Sequence, residues 1–407
     1  MLMINSYKIS LAAGVLAASI FLASCGGGGG GSSNSGNTTA SPGAVGLASC
    51  GANNALFSVS PIALNQVQGW EPLGHMGPPG HTFPTDHQYL YIINPASTST
   101  TPTTTPVTIP VLAPGDLRVT ELRRSTYGAS GLTDYTIYFQ PCAEVAGWFG
   151  HVSTLTGPLA SLTGNINQRC NTYQPTPGIT VTQCQSDPLM VDIKAGIQIG
   201  TVGGGGSLAL DWALQDKRIT TLHFAAPARF LNGSNGFDTL HTVPASDYFT
   251  ASIFPQIQAR IGRFTGIDLR TVAPIGGTVA MDVDNTARGY WFNPSQPYPP
   301  ESSHAALATD YIAPDKLQVF SVGVSQTNIG SFYKTFTPQT TGPVNRAFES
   351  ITPGAQIYCY DATSSPNYIL LQLLDAATLK LEGRNDAPNC NAALPYGLTG
   401  NGVTYKR

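Results

Sequence analysis

Charged side chains are scarce in this sequence. Asp, Glu, Lys and Arg make up 11% of its 407 residues, whereas globular proteins usually contain ~25%. The formal net charge is −3, and no basic patch of the size that nucleic-acid binding requires is present. Beyond the N-terminal region, no apolar run reaches the roughly eighteen residues that a membrane-spanning helix needs. We therefore expect no nucleic-acid partner and no second membrane-spanning run.

Helical periodicity and several catalytic motifs are scarce or absent as well. Only residues 248–261 and 375–380 show a modest helical pattern, and the sequence contains no G-x-S-x-G elbow and no Cys-x-x-Cys pair. Apolar stretches are short and end at Gly, Pro, Asn or Asp, and the chain has 44 Gly and 31 Pro. This pattern predicts an all-β protein with many turns.

The N-terminal residues predict export and lipid attachment. Lys8 precedes an apolar run over residues 9–21, which has the length of a secretory signal. Leu22-Ala23-Ser24-Cys25 follows and resembles the lipobox of bacterial lipoproteins, in which the cysteine thiol is acylated. The alternative is an ordinary signal peptide with a chance cysteine. We predict a signal peptide over residues 1–24 and a lipid on Cys25.

A flexible tether is predicted over residues 25–50. Six glycines, Gly26–Gly31, precede a stretch rich in Ser, Asn and Thr, and such compositions do not form a packed core. Gly26 rather than Asp follows the cysteine, which by resemblance to enterobacterial sorting rules favours the outer membrane. The expected location is the cell envelope, with the membrane as a partner through the lipid.

Six cysteines remain once Cys25 is assigned to the lipid. An even number in an exported chain predicts disulfides, and the alternative of buried free thiols is uncommon in exported proteins. The predicted pairs are Cys170 with Cys184, Cys359 with Cys390, and Cys50 with Cys142.

Two β domains are expected after the tether, over residues 51–230 and 231–407. The run STSTTPTTTP at residues 97–106 reads as an exposed loop of the first domain. In the second domain, residues 271–294 predict a hairpin, and composition predicts a β-sandwich or barrel-like fold. His304 and Asp310 are expected to lie in a surface loop.

Four segments of the first domain resemble, in order, the LytM-type domain of the M23-family metallopeptidases, which cut peptide cross-links in cell walls. They are His87-Gln88-Tyr89-Leu90-Tyr91, the turn Pro110–Val119, the strand at 135–139 with Trp148-Phe149-Gly150-His151-Val152, and Lys194–Gly204 followed by a strand at 208–214. The resemblance covers about 130 residues and implies the β-rich duplicated hybrid motif.

The family binds zinc through a His, an Asp four residues later and the second His of an HxH motif. Here the first position is His87, but Tyr91 stands where the Asp is expected, and the HxH position reads Ala209-Leu210-Asp211. His151 occupies the position of a catalytic His, although a histidine there is also common as a core or rim residue. The resemblance therefore leaves His87, His151 and Asp211 as a remnant cluster, and two His with one carboxylate still make a metal-binding set.

His81 and Asp86 are two further candidate metal ligands, because they lie next to His87 along the chain. The alternative interpretation, which we favour, is that Asp86 caps a turn and that His81 hydrogen-bonds backbone in a proline-rich loop.

Three functions remain open at this stage. The first is a lipoprotein whose M23-like domain has lost its zinc ligands and binds cell-wall material, such as peptidoglycan, or an envelope protein. The second is an atypical metal-dependent cell-wall hydrolase that uses His87, His151 and Asp211, with zinc as its metal. The third is a structural or adhesive surface lipoprotein. The missing ligands favour the first, which would be no enzyme and would need no cofactor.

Overall fold

The computed structural model of the protein describes residues 46–93, 107–128, 130–176, 179–204, 207–231, 236–298, 300–324, 329–362 and 365–407. The predicted signal peptide, Cys25, most of the tether and the predicted loop at 97–106 lie outside these ranges. Among the helices within them, none is long and apolar enough to cross a membrane.

The first sheet has eleven strands and is antiparallel throughout. Its strands are β1 (Val67–Glu71), β2 (Gln88–Ile92), β3 (Thr108–Leu112), β4 (Leu117–Tyr127), β5 (Thr133–Cys142), β6 (Val145–Leu155), β7 (Gln168–Thr176), β8 (Ile179–Gln185), β9 (Val191–Ile193), β10 (Gln198–Gly203) and β11 (Ala209–Asp216). The main path runs β1-β2-β11-β6-β5-β4-β8-β7. In addition, β10 pairs with β3 and β6, and β9 pairs with β4.

The central strands of this sheet have two chemically different faces. Leu90, Leu210 and Phe149 are fully buried in the main hydrophobic core, and we call their side the core face. Residues that alternate with them, including Tyr89 and Asp211, point to the opposite side, the site face, because successive side chains of a strand alternate between faces. Asp211 of β11 pairs with Tyr89 on one side and with Gly150 on the other.

Two four-stranded antiparallel sheets follow. One contains β12 (Gly289–Trp291), β13 (Ala305–Thr309), β14 (Gln318–Val322) and β15 (Phe332–Phe336), and the other β16 (Tyr358–Asp361), β17 (Tyr368–Asp375), β18 (Thr378–Arg384) and β19 (Val403–Lys406). Side chains from both sheets, such as Phe320 and Leu371, share one core. We call residues 289–406 the C-terminal sandwich. No closed barrel is present among the described residues, so the all-β expectation is confirmed, and the sandwich describes this part of the chain better than a barrel.

Helices are short. Among the described residues, the α-helix α1 spans Phe254–Gln258, and the 3-10 helices are Leu64–Gln66, Gly157–Asn165, Pro227–Phe230, Thr239–His241, Ala245–Tyr248, Glu301–Ser303, Phe348–Ser350 and Asn391–Ala393. Apolar residues between Val243 and Ile261 pack into the core of the first sheet. The chain therefore returns to the first sheet beyond residue 230. The domain boundary expected there stays a prediction.

All three cysteine pairs expected from the sequence are bonded. Cys50 is linked to Cys142, Cys170 to Cys184, and Cys359 to Cys390. The first bond joins the start of the described chain to the end of β5, and the second closes the β7–β8 hairpin.

Three local expectations were wrong. The hairpin expected over residues 271–294 does not form, because residues 277–283 are not a strand and β12 pairs with β13. Residues 375–380 form no helix: β17 ends at Asp375, residues 376–377 form a turn, and β18 begins at Thr378. His304 and Asp310 are fully buried instead of lying in a surface loop, because the backbone around them satisfies their polar atoms: His304 accepts from Asn293 N at 3.1 Å, and Asp310 accepts from Ile312 N at 2.9 Å.

Candidate functional site

A β-bulge places the imidazole of His151 on the site face. Tyr135 pairs with Val152 and Ile137 with Phe149, so two residues of β6 lie opposite one residue of β5. His151 takes a left-handed backbone conformation, with φ 58°. Such a conformation costs about 1–3 kcal/mol for a residue with a side chain. Bulges of this kind re-aim side chains near functional sites.

Gly150 makes room for the carboxylate of Asp211 on the neighbouring strand. A Cβ atom at Gly150 would lie 3.3 Å from the Asp211 Cβ and 3.1 Å from the ring of Trp148. Asp211 is 2% exposed. The bulge and the glycine together bring the Asp211 carboxylate beside the ring of His151.

Five side chains form a continuous series, which we call the histidine–carboxylate row. Asp86 Oδ1 lies 3.1 Å from His87 Nδ1, and His87 Nε2 lies 3.7 Å from Asp211 Oδ2. The same Asp211 oxygen lies 3.3 Å from His151 Nε2, and His151 Nδ1 lies 2.8 Å from Asp134 Oδ2. Carboxylates and imidazoles therefore alternate along the row.

Both ends of the row are held by hydroxyl groups. Thr239 donates to Asp86 Oδ2 at 3.5 Å, and the Tyr127 hydroxyl donates to Asp134 Oδ2 at 3.2 Å. Sequence reasoning missed Asp134, Tyr127 and Thr239. Asp134 follows Gly131, Leu132 and Thr133, a context typical of a turn, and nothing in its neighbourhood indicates that it faces a histidine.

Two buried atoms of the row have no hydrogen-bond partner among the described residues. They are His87 Nε2 and Asp211 Oδ1, and they belong to residues that are 0% and 2% exposed. An unpaired buried polar atom costs about 1–3 kcal/mol. With three carboxylates and two imidazoles, the row formally keeps at least one negative charge even when both rings are protonated. The row therefore suits a ligand that brings hydrogen bonds and positive charge.

The row does not assemble a closed zinc site of three protein ligands. Within the described ranges, the only three His, Cys, Asp or Glu side chains with ligand atoms all within 4.8 Å of one another are Cys50, Cys142 and Glu144, and both cysteines are bonded to each other. The two imidazoles lie on either side of Asp211, whereas ligand atoms about 2.0–2.2 Å from one zinc ion must lie closer together. The row offers donors beside Asp211 but does not fit three of them around one ion.

The other sequence candidates lie around the row. The ring of His81 lies 5.4 Å from the ring of His87, and its backbone exchanges hydrogen bonds with Gly77. Both interpretations of the His81 side chain stay predictions. Asp86 Oδ1 lies beside His87 Nδ1, and the turn cap at Asp86 stays a prediction. Tyr91 lies two residues beyond Tyr89 in β2, and its ring contacts Tyr89 and Phe264 at 6.1 and 5.7 Å.

Tyr89 is the common neighbour of three histidine rings. Its ring lies 4.8 Å from His87, 5.5 Å from His75 and 6.2 Å from His81. His75 was not among the sequence candidates. Four of the seven histidines of the chain, counting His151, therefore gather on this part of the site face.

Charge and burial set different protonation states within the group. Burial alone would lower the pKa of His151, but Asp211 and Asp134 act more strongly together and raise this pKa to about 9. Burial lowers the pKa of His81 well below its usual value, and the neighbouring His87 and His75 act in the same direction. At neutral pH, His151 is therefore an imidazolium and His81 a neutral imidazole.

The site is partly open to solvent at the His151 end. The side chains of His151 and Asp134 are 12% and 15% exposed, whereas that of His87 is fully buried. A fully packed surround of His151 would have favoured a purely structural role. His151 and Asp134 are the most exposed members of the row.

Comparisons with known protein families, curated proteins and solved structures found no match for this chain. The resemblance to the M23-family metallopeptidases therefore stays a prediction.

Proposed function

We propose that the protein is an envelope-anchored lipoprotein whose first domain binds cell-wall material at the histidine–carboxylate row, without ordinary zinc peptidase activity. The observation that carries the proposal is the position of His151 between two carboxylates, 2.8 Å from Asp134 and 3.3 Å from Asp211. The lipid anchor on Cys25 would hold this site within reach of the wall.

The protonation state of His151 favours binding over cleavage. A general base must be unprotonated to accept a proton, and its pKa is best placed near the working pH. With its pKa raised to about 9 by the two carboxylates, His151 is protonated at pH 7. It acts there as a hydrogen-bond donor and as a positive charge beside Asp211.

The surface next to the open end suits a polar polymer. Tyr127 of β4 and Tyr173 of β7 are half-buried, and both lie opposite Val181 of β8, which is between these two strands. Tyr127 also bonds to Asp134. Tyrosine combines an apolar ring with a hydroxyl group, so it contacts sugars and peptides with little loss of side-chain entropy. These rings extend the contact surface outward from His151.

A sedimentation assay with purified cell-wall sacculi tests the proposal. Wild-type protein is expected to co-sediment, and Asp211→Asn and His151→Gln should each weaken binding by about tenfold or more, since each removes a charged partner from a buried group. His223→Gln is the matched control, because His223 pairs with the exposed Asp284 and is no member of the row. Absence of wild-type binding, or equal binding by the row variants and the control, would overturn the proposal.

A second candidate is the metal-dependent hydrolase, and one feature favours it. In both His87 and His151, Nδ1 lies beside a carboxylate and Nε2 faces Asp211, which is how metal-binding histidines are usually oriented. The unpartnered His87 Nε2 adds to this. The present arrangement fits fewer than three ligands, so hydrolysis would require the two rings to approach each other.

Metal analysis separates the two candidates. Protein purified without chelator and measured by plasma mass spectrometry should contain no stoichiometric zinc if the row only binds wall material. Zinc near one equivalent that is lost in the His87→Gln, Asp211→Asn double variant, together with release of peptide fragments from sacculi, would favour the hydrolase.

A further inference from the structure

The C-terminal sandwich holds the segment that supplies two members of the row. This segment is residues 77–87, which we call the site loop. Phe83, near its middle, is 1% exposed and its ring lies among four rings of residues 290–304. The partners are Tyr290 at 4.9 Å, Phe292 at 5.2 Å, Tyr298 at 5.5 Å and His304 at 5.7 Å.

The loop backbone is bonded to the sandwich as well. Glu301 Oε2 accepts a hydrogen bond from Phe83 N at 2.9 Å, and the Ser321 hydroxyl donates to Thr82 O at 2.7 Å. Ser321 lies on the central strand β14, and both Glu301 and Ser321 are buried. Neighbouring peptide groups of the loop are therefore fixed by two different parts of the sandwich.

Only two residues, Pro84 and Thr85, separate Phe83 from Asp86, the first member of the row. Thr85 is bonded to the first domain, since Thr85 N donates to His75 O at 2.9 Å and Gly74 N donates to Thr85 O at 3.0 Å. His87 ends the loop, and β2 begins at the next residue. A short connector therefore joins Phe83, which the sandwich holds, to His87 at the start of β2.

The electrostatic surroundings of Glu301 link it to the row. Burial raises the pKa of Glu301 to about 8, and the negative charge of Asp86 acts in the same direction. Burial raises the pKa of Tyr298, and Glu301 adds to this shift. Burial also raises the pKa of Tyr290, with Asp282 and Glu301 acting in the same direction. Glu301 is therefore protonated at pH 7 and accepts the Phe83 hydrogen bond as a neutral acid.

We propose that the C-terminal sandwich is part of the functional unit, and that Phe83 and Glu301 are positioning residues for the imidazole of His87. Each acts through the site loop, whose conformation places Asp86 and His87 opposite Asp211. This role goes beyond the proposed wall binding, and only its binding readout rests on that function.

Histidine-ring NMR on the full-length protein tests the proposal directly. The seven histidines can be labelled, and the signal of His87 is identified from its loss in His87→Gln. Phe83→Ala and Glu301→Ala should shift the His87 ring signals and weaken sacculus binding by about tenfold. Glu301→Gln, which keeps an acceptor for Phe83 N, should retain the wild-type signals and bind within about twofold of wild type. The matched control is Glu349→Ala, which removes a carboxylate that pairs with Gln318 inside the same sandwich.

The outcomes distinguish this inference from the proposed function. Unchanged His87 signals in folded Glu301→Ala, or equal effects of Glu301→Gln and Glu301→Ala, would overturn the positioning role. If Phe83→Ala does not fold, the two Glu301 variants still decide the matter. If wild-type protein does not bind sacculi but Glu301→Ala still shifts the His87 signals, the positioning role holds and the wall-binding function fails.

Discussion

Replacing Asp134 by Asn should lower the pKa of His151. The two carboxylates raise this pKa from its ordinary value of 6.5 to about 9, which corresponds to about 3 kcal/mol in favour of the imidazolium. A hydrogen bond between charged groups contributes about 1.5–3 kcal/mol, and the Asp134 contact of 2.8 Å is the shorter of the two. We therefore expect the pKa of His151 in Asp134→Asn to fall by about one to two units.

The pKa is measured by following the ring signals of labelled His151 against pH, with the assignment taken from His151→Gln. Asp238→Asn is the control, since it removes the partner of His241 at a similar distance of 2.7 Å and should leave the titration of His151 unchanged. A wild-type midpoint at or below the ordinary value, or equal midpoints in wild type and Asp134→Asn, would refute the charge assignment of the row.

The same shift makes a prediction about stability. Because the folded-state pKa of His151 lies above its unfolded value, the stabilisation is fully present below pH 6.5 and is lost as pH rises through about 9. The free energy of unfolding should therefore fall with increasing pH across this window, by about 3 kcal/mol at most from this group. Asp134→Asn should show a shallower decline in urea unfolding at pH 6.5 and pH 9.

Three further predictions concern single residues. The pKa of Glu301 is raised from 4.5 to about 8, so the free energy of unfolding of wild-type protein should fall as pH rises from 4.5 to 8, by about 5 kcal/mol at most. Glu301→Gln should reduce this pH dependence in urea unfolding. Equal pH dependence in both proteins would contradict a buried carboxyl group at position 301. His151→Gly should be about 1 kcal/mol more stable than His151→Ala in thermal unfolding, because φ is 58° there, and the opposite order would contradict the bulge conformation. Cys25→Ser should move the protein from the membrane to the soluble fraction of fractionated cells, and unchanged membrane association would exclude lipid attachment at Cys25.

Local sequence patterns predicted the strands that carry the site. The predicted strands at residues 135–139 and 208–214 correspond to β5 and β11. The order of segments resembling the metallopeptidases placed His87, His151 and Asp211 in one cluster, and the structure brings these three side chains together around Asp211 Oδ2. Such inference works where strand pairing follows from the order and spacing of conspicuous residues.

Contacts between distant segments could not be predicted in the same way. Asp134 reaches His151 only because a bulge adds one residue to β6, and no composition signal marks that insertion. Residues 277–283 alternate like a strand, yet Val279 and Met281 fill a core made largely of loops, so burial rather than backbone pairing explains their apolar character. The attachment of Phe83 to Glu301 spans 218 residues of sequence and depends on how the sandwich packs against the site loop.

The carboxylate at position 211 changes the chemistry of the site more than the loss of one metal ligand would. An imidazole there would be neutral or positive, whereas Asp211 adds a negative charge 3.3 Å from His151 Nε2 and 3.7 Å from His87 Nε2. This charge favours the protonated form of His151, which removes its capacity to act as a base at neutral pH. It also leaves the row formally anionic, so a ligand with a cationic group gains from the same residue that disfavours hydrolysis. Because one side chain accounts for both effects, Asp211→Asn should lower the pKa of His151 and should also weaken binding to sacculi.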